Sequence, residues 1–246
     1  MGLIYGINAV LEALGAGRVD KVCVERGQKN PRIREIVLLC RGKEVPVAVE
    51  EKAWLDRKAA GKRHQGVLCY ISEVPVLSVG EILARAGSPG LLLVLDGVED
   101  PHNLGAILRS AEVAGADGVL VPQRRSAPLN AAAVKASAGA ASHLKVARCG
   151  STAWLIEELK QAGYWIAGFD ADLGRPLWEF DFTVPTALVL GSEGSGLHRL
   201  VKERCDFLAS IPVRGRVSSY NVSVAAGIAL YEVLRQRSKK VLSTEC

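Results

Sequence analysis

The sequence has none of the marks of a metal centre, a membrane protein or a disulfide scaffold. Its six cysteines, at 23, 40, 69, 149, 205 and 246, form no Cys-x-x-Cys pair, and none neighbours a histidine at metal-ligand spacing. His64, His102, His143 and His198 give no i, i+4 pair, so no helix face offers two imidazoles to one ion. Cysteines scattered in this way read as reduced core residues, and no metal is expected. The longest apolar runs, at 91–95 and 187–190, fall far short of the roughly 20 residues that span a bilayer. The opening Met1-Gly2-Leu3-Ile4-Tyr5-Gly6 has no charged stretch leading into an apolar one, so no signal peptide is expected and a cytoplasmic address is. Internal repeats and long low-complexity tracts are also missing.

What remains is a globular balance, 49% hydrophobic and 23% charged over 246 residues. That length has room for one large domain or two small ones. The net charge of +5 is uneven: residues 1–75 hold 13 Lys and Arg against 9 Asp and Glu, and residues 76–246 hold 18 against 17. A basic N-terminal part is compatible with a polyanion partner, and equally with an ordinary solvated surface. Pro75, Gly80, Gly87 and Pro89 mark 74–89 as a linker containing a short helix at 79–85. It separates a small α/β domain, 1–73, from a larger one, 90–246.

In the first domain the pattern predicts a helix over 7–14, a strand at 19–25, a helix after Pro31, and strands near 45–49 and 66–71. A basic cluster, Arg57, Lys58, Lys62, Arg63 and His64, precedes the last strand. In the second domain apolar strands at 91–98, 118–121, 145–148, 165–169, 186–190 and 207–211 alternate with helices at 103–114, 130–141, 151–162, 197–204 and 221–237. Continuous apolar strands alternating with helices predict a mostly parallel sheet covered on both faces, with ligands bound beyond the strands' carboxyl ends.

Three polar clusters lie at such ends. The first runs from Asp96 through Pro101, His102, Asn103 and Gly105 to Arg109. Asn103 is placed to cap the helix that follows, and Arg109 either pairs with Glu112 or offers its charge to a phosphate. The second has glycines at 191, 194 and 196, a G-x-x-G-x-G spacing that is neither a dinucleotide fingerprint nor a P-loop. It leaves a tight turn with one carboxylate, Glu193, at its tip. The third crowds Ser218, Ser219, Asn221 and Ser223 at a helix start beside Arg214 and Arg216. One cap suffices for one helix, so capping explains only part of this cluster. No serine–histidine–carboxylate constellation is visible.

In this order the clusters resemble the three motifs of the SpoU/TrmH family of RNA ribose 2′-O-methyltransferases, within the SPOUT superfamily. The first motif reads Asn103-Leu104-Gly105 with Arg109, the second Leu190-Gly191-Ser192-Glu193-Gly194. The third reads Ile211-Pro212 and then Ser218-Ser219-Tyr220-Asn221-Val222-Ser223. Arg125-Ser126-Ala127, Lys135-Ala136-Ser137-Ala138-Gly139-Ala140, Tyr5-Gly6-Ile7-Asn8-Ala9-Val10 and His64-Gln65-Gly66-Val67 extend the likeness over nearly the whole chain.

The resemblance implies a SPOUT-type α/β fold with a C-terminal deep trefoil knot, a small L30e-like N-terminal domain that binds RNA, and a homodimer. It implies S-adenosylmethionine as cofactor, leaving as S-adenosylhomocysteine, with Gly191, Ile211, Tyr220 and Asn221 at the cofactor. Tyr220 stands where leucine is common in the family. Asn103 and Asn221 are implied to orient the ribose, Ser219 to hydrogen-bond near the reacting groups, and Glu193 to fix Asn103 or the loop. Arg109 is implied to act as general base or to polarise the hydroxyl. A guanidinium is effectively always protonated, which favours stabilising an alkoxide or phosphate over accepting a proton. The expected partner is RNA, not DNA or membrane, and the expected substrate a guanosine of 23S ribosomal RNA. The alternatives are a tRNA enzyme of the same family and a noncatalytic RNA-binding assembly factor.

Overall fold

The structure, a computed structural model, describes residues 2–15, 19–71 and 76–244. In chain order the elements are β1 (Gly2–Tyr5), α1 (Ile7–Gly15), β2 (Val19–Glu25), α2 (Pro31–Gly42), β3 (Val47–Glu50), α3 (Lys52–Ala59) and β4 (Val67–Ile71), then β5 (Val76–Leu77), α4 (Val79–Leu83), β6 (Leu91–Asp96), α5 (Pro101–Val113), β7 (Gly118–Pro122), α6 (Ala131–Ala136) and β8 (Val146–Cys149). There follow α7 (Thr152–Gln161), β9 (Trp165–Phe169), β10 (Arg175–Pro176), β11 (Thr186–Gly191), α8 (Arg199–Arg204), β12 (Phe207–Ser210) and α9 (Val222–Thr244). No helix among the described residues is long and apolar enough to cross a membrane.

The first seven elements build a four-stranded sheet in the order β1-β4-β2-β3. Alternation along its strands sends Val22 and Val67 to one face, against Val10, Leu14, Ile33 and Ile36 of α1 and α2, and Cys23 and Leu68 to the other, against Leu55 of α3. β1 and α3 were not expected from the sequence. Part of the basic run before β4 is structural. His64 is 8% exposed; its Nδ1 accepts the Gly66 N–H at 3.0 Å and its Nε2 donates to Asp56 at 2.9 Å. Lys62 lies 5.1 Å from the Tyr5 ring and Lys58 5.7 Å from that of Trp54. The other basic groups face solvent.

The second sheet has eight strands in the order β10-β12-β9-β11-β6-β7-β8-β5, and every pair in it is parallel. Central β6 is buried throughout. Leu91, Leu93 and Leu95 join one core, under α5 and α9, and Leu92 and Val94 the other, under α7. At roughly 1.5–3 kcal/mol for each buried aliphatic side chain, such a strand is held from both faces.

The expected boundary at 73/74 lies outside the described residues. From Val76 on, the segment read as linker belongs to the large sheet: β5 pairs with β8, and Ile82 of α4 is fully buried. The Ala-rich helix expected over 130–141 breaks after Ala136, because Ala138 and Gly139 take positive φ of 50° and 93°. Ser151 stands at the cap position of α7 but makes no side-chain cap bond.

Candidate active site

The carboxyl ends of β6, β11 and β12 meet at one place. At the first, Asp100, not Asn103, caps α5: its carboxylate accepts from the backbone N–H groups of His102 at 3.1 Å and Asn103 at 3.4 Å, with Pro101 opening the helix. That corrects the capping role expected for Asn103 and frees its side chain. Asn103 Nδ2 donates to Glu193 Oε1 at 3.1 Å, and Asn103 Oδ1 accepts from Asn221 Nδ2 at 3.0 Å. Asn221 Nδ2 also donates to Glu193 Oε1, and the Val222 N–H approaches the same oxygen at 3.4 Å. Glu193 is solvent-exposed but not an unpartnered tip. It is the acceptor on which all three clusters converge.

After β11 the chain makes a five-residue turn closed by reciprocal backbone bonds between Ser192 and Gly196, at 3.1 and 3.0 Å. A Cβ on Gly191 would overlap the backbone of Gly196 and Leu197, so this close return requires glycine there. Asn221 caps α9, its Oδ1 accepting from Ser223 N–H at 3.0 Å and Ser223 Oγ at 2.6 Å. One member of the third cluster is thus spent on the helix. Ser218 and Ser219 line a cleft instead.

That cleft has a volume of about 240 Å³ and is walled by Gly191, Ile211, Ser219 and Tyr220. Three of the four residues expected at the cofactor are therefore together; the fourth, Asn221, belongs to the Glu193 junction. The floor carries a group the sequence did not point to, Asp170 at the end of β9. Burial would raise its pKa, but Lys202, at 2.5 Å, and the N–H groups of Asp172 and Leu173 outweigh burial and hold the carboxyl below its usual range. A second cavity, about 480 Å³, lies across the 192–196 turn and shares Ser192, Glu193, Ser195 and Val222 with the cleft.

Arg109 is not brought to this junction within one chain. It is solvent-exposed on the third turn of α5, lines neither cavity, and makes no hydrogen bond or ion pair among the described residues, Glu112 included. A histidine–carboxylate pair does exist, His198 Nδ1 with Asp96 Oδ2 at 2.8 Å. Its 102-residue separation hid it from spacing arguments, and no serine hydroxyl bonds to that imidazole among the described residues.

The cleft offers a small ligand both backbone and side-chain contacts. Backbone comes close at Gly191, Ile211 supplies apolar surface, and Tyr220 has 44% of its surface open to a ligand.

Residues 90–231 match the model of the SpoU rRNA Methylase family, and residues 3–76 that of RNA 2′-O ribose methyltransferase substrate binding. The chain is 42% identical over 241 residues to the 23S rRNA (guanosine-2′-O-)-methyltransferase RlmB of Pseudomonas aeruginosa, covering 96% of each chain. Among solved structures it is similar to the SpoU methyltransferase AviRb of Streptomyces viridochromogenes in complex with the cofactor AdoMet (TM-score 0.62, 27% identity, 96% of this chain and 90% of that one). It is also similar to a TrmH/SpoU tRNA modifying enzyme of A. aeolicus (TM-score 0.59, 29% identity, 67% of this chain and 83% of that one).

Proposed function

The chain belongs to the SpoU rRNA methylase family, and from that premise we propose that it methylates the ribose 2′-oxygen of a guanosine in 23S ribosomal RNA, using S-adenosylmethionine. The observation that carries this reading is the junction at Glu193 Oε1, where all three motifs meet between the cofactor cleft and a second cavity of nucleotide size. Full-length likeness to RlmB supports the ribosomal substrate, and equally long relatives named tRNA/rRNA methyltransferases keep tRNA as the second reading.

Gly191, Ile211 and Tyr220 would hold the cofactor, which supplies a methyl group already activated on a sulfonium. The protein's task is then alignment, proton handling and exclusion of water. Asn103 and Asn221 have their amides oriented by Glu193, so the ribose meets fixed dipoles and not mobile side chains. Ser219, on the cleft wall, is within the same region. Arg109, on the exposed flank of α5, reaches neither cavity of its own chain and would stabilise the alkoxide or the adjoining phosphate in a site completed by a second copy.

That flank supports a homodimer. Val113 is 74% exposed one turn beyond Arg109, and α9 shows Val224, Tyr231 and Leu234 to solvent at i, i+7 and i+10 spacing. A trefoil knot is part of the same reading. It is supported by the chain leaving β12, on the far side of β9 and β11, and returning to start α9 against α5. The division into an RNA-binding part, 1–73, and a catalytic part, 90–246, and a cytoplasmic address, complete the proposal.

The test is methyl transfer from labelled S-adenosylmethionine to unmodified large-subunit rRNA and, in parallel, to bulk tRNA, with the modified ribose mapped. Label at a single rRNA guanosine is expected. Label on tRNA alone would keep the site and overturn the substrate. A protein that binds S-adenosylhomocysteine and labels neither would leave the noncatalytic reading in front.

A further inference from the structure

The larger cavity holds two groups that methyl transfer at the junction does not use, His198 and Arg125. Asp96, whose side chain is 6% exposed, accepts from the His198 N–H at 2.9 Å, from His198 Nδ1 at 2.8 Å and from the Thr152 hydroxyl at 3.0 Å. A buried carboxylate with three donors is fixed, and it turns the imidazole so that Nε2 faces Arg125 Nη1 at 3.5 Å.

Arg125 is itself held in an unusual way. Its backbone has φ of 53°, the left-handed region that side chains other than glycine rarely adopt. Such strain persists where the surroundings over-determine it, and they do here. Arg148 donates to the carbonyls of Pro122 and Ala127, both at 3.1 Å, and to Ser126 Oγ at 2.8 Å, while the Ala127 N–H bonds Val98 O at 2.7 Å. The product is an arginine aimed at a cavity and making no ion pair among the described residues. Of the carboxylates lining the cavity, Asp100 and Glu193 are occupied by internal hydrogen bonds. Glu99 lines the cavity too, and Arg125 is the one guanidinium or ammonium group among its described lining residues, so a phosphate's place is beside Arg125.

We propose that this cavity takes the acceptor nucleotide of the RNA and that Arg125 grips its phosphodiester, with His198, oriented by Asp96, as the positioning residue that braces the guanidinium. The inference rests on the RNA methyl-transfer reading above. Its size fits, since small-ligand pockets run from about 300 to 1,000 Å³.

The test measures binding of a large-subunit rRNA hairpin to the full-length protein loaded with S-adenosylhomocysteine, across salt concentrations, alongside methyl transfer. Arg125→Gly should weaken RNA binding about tenfold and lower the slope of log K against log salt by about 1, as removal of a single phosphate partner requires. Glycine fits φ of 53° better than arginine, so the melting temperature should hold or rise, and S-adenosylhomocysteine should bind unchanged. Arg125→Lys should restore the slope and part of the affinity. His198→Ala should cost less, and nothing further in the Arg125→Gly background. A wild type that methylates rRNA beside an Arg125→Gly variant with unchanged affinity and slope overturns the inference and leaves the methyltransferase reading standing. A fall in both melting temperature and cofactor-product binding would make Arg125 a structural residue and overturn the inference equally. RNA binding that depends on Arg125 without methyl transfer to any RNA would keep the site and overturn the reading. A wild type that binds no RNA overturns both.

Discussion

Asn103 and Asn221 stand 118 residues apart in the chain and touch side chain to side chain at 3.0 Å, both donating to the same oxygen of Glu193. Each amide is thereby held in one orientation, which neither could keep alone at the solvent-facing end of its helix.

Glu193→Ala should release both amides. Methyl transfer is expected to fall by about 10²-fold, the usual cost of misplacing a reacting group by an ångström or so. S-adenosylhomocysteine should still bind, because Gly191, Ile211 and Tyr220 are untouched. Steady-state rates with calorimetric binding check this, and an undiminished kcat would show that the junction does not orient the site.

Arg109→Ala should abolish transfer while leaving cofactor binding intact. The side chain is exposed and lines neither cavity, so stability should change by no more than about 0.5 kcal/mol. Loss of S-adenosylhomocysteine binding in a folded variant would contradict that division of roles.

Arg237 ties α9 to the amino ends of the central strands. Its guanidinium donates to the carbonyls of Pro89, Gly90, Phe182 and Val184 at 2.8–3.0 Å, and burial pulls its pKa down. Arg237→Ala leaves four acceptors without that donor and should cost about 2–4 kcal/mol, at about 1–3 kcal/mol for each group left wholly unsatisfied and less where water enters. Urea melts give the number, and a loss below 0.5 kcal/mol, roughly that of an exposed substitution, would mean that water replaces the arginine fully.

The cysteines carry a pH signature. Burial pushes the Cys40 thiol up to about 11 and those of Cys69, Cys149 and Cys205 to about 12. Unfolded thiols ionise near pH 8.5, roughly, so above that the unfolded state gives up protons that the native state keeps. Their contribution to stability is therefore complete below about pH 8.5 and is lost as pH rises toward the native values, at about 1.4 kcal/mol per pH unit for each thiol. Iodoacetamide with peptide mapping at pH 8.5 offers a direct check. Native Cys69 and Cys149 should label only after unfolding, and labelling at the rate of a free thiol would refute the assignment.

The large sheet was legible because its strands are unbroken apolar runs such as 91–95, and only burial on both faces makes such runs stable. β1 was harder to see: four residues, each only half-buried, leave no clear alternation. The two-residue strands β5 and β10 are set by their neighbours β8 and β12 and carry no pattern of their own. Asn103 was misread as a cap because Asp100, three residues earlier, is an equally good one. Local propensity does not choose between two capping residues at adjacent turns.

The sequence by itself determined the alternation of strand and helix, the three glycine- and asparagine-rich strand ends, and the family to which those motifs belong. These are local patterns of one to two dozen residues, written in the order of side chains. Tertiary structure alone decided that Glu193 joins Asn103 to Asn221, that Asp96 holds His198, and that Arg109 faces away from all of them. Those relations depend on which strand ends the sheet order places side by side, and a hydrogen bond across about 100 residues leaves no mark in the spacing of either partner.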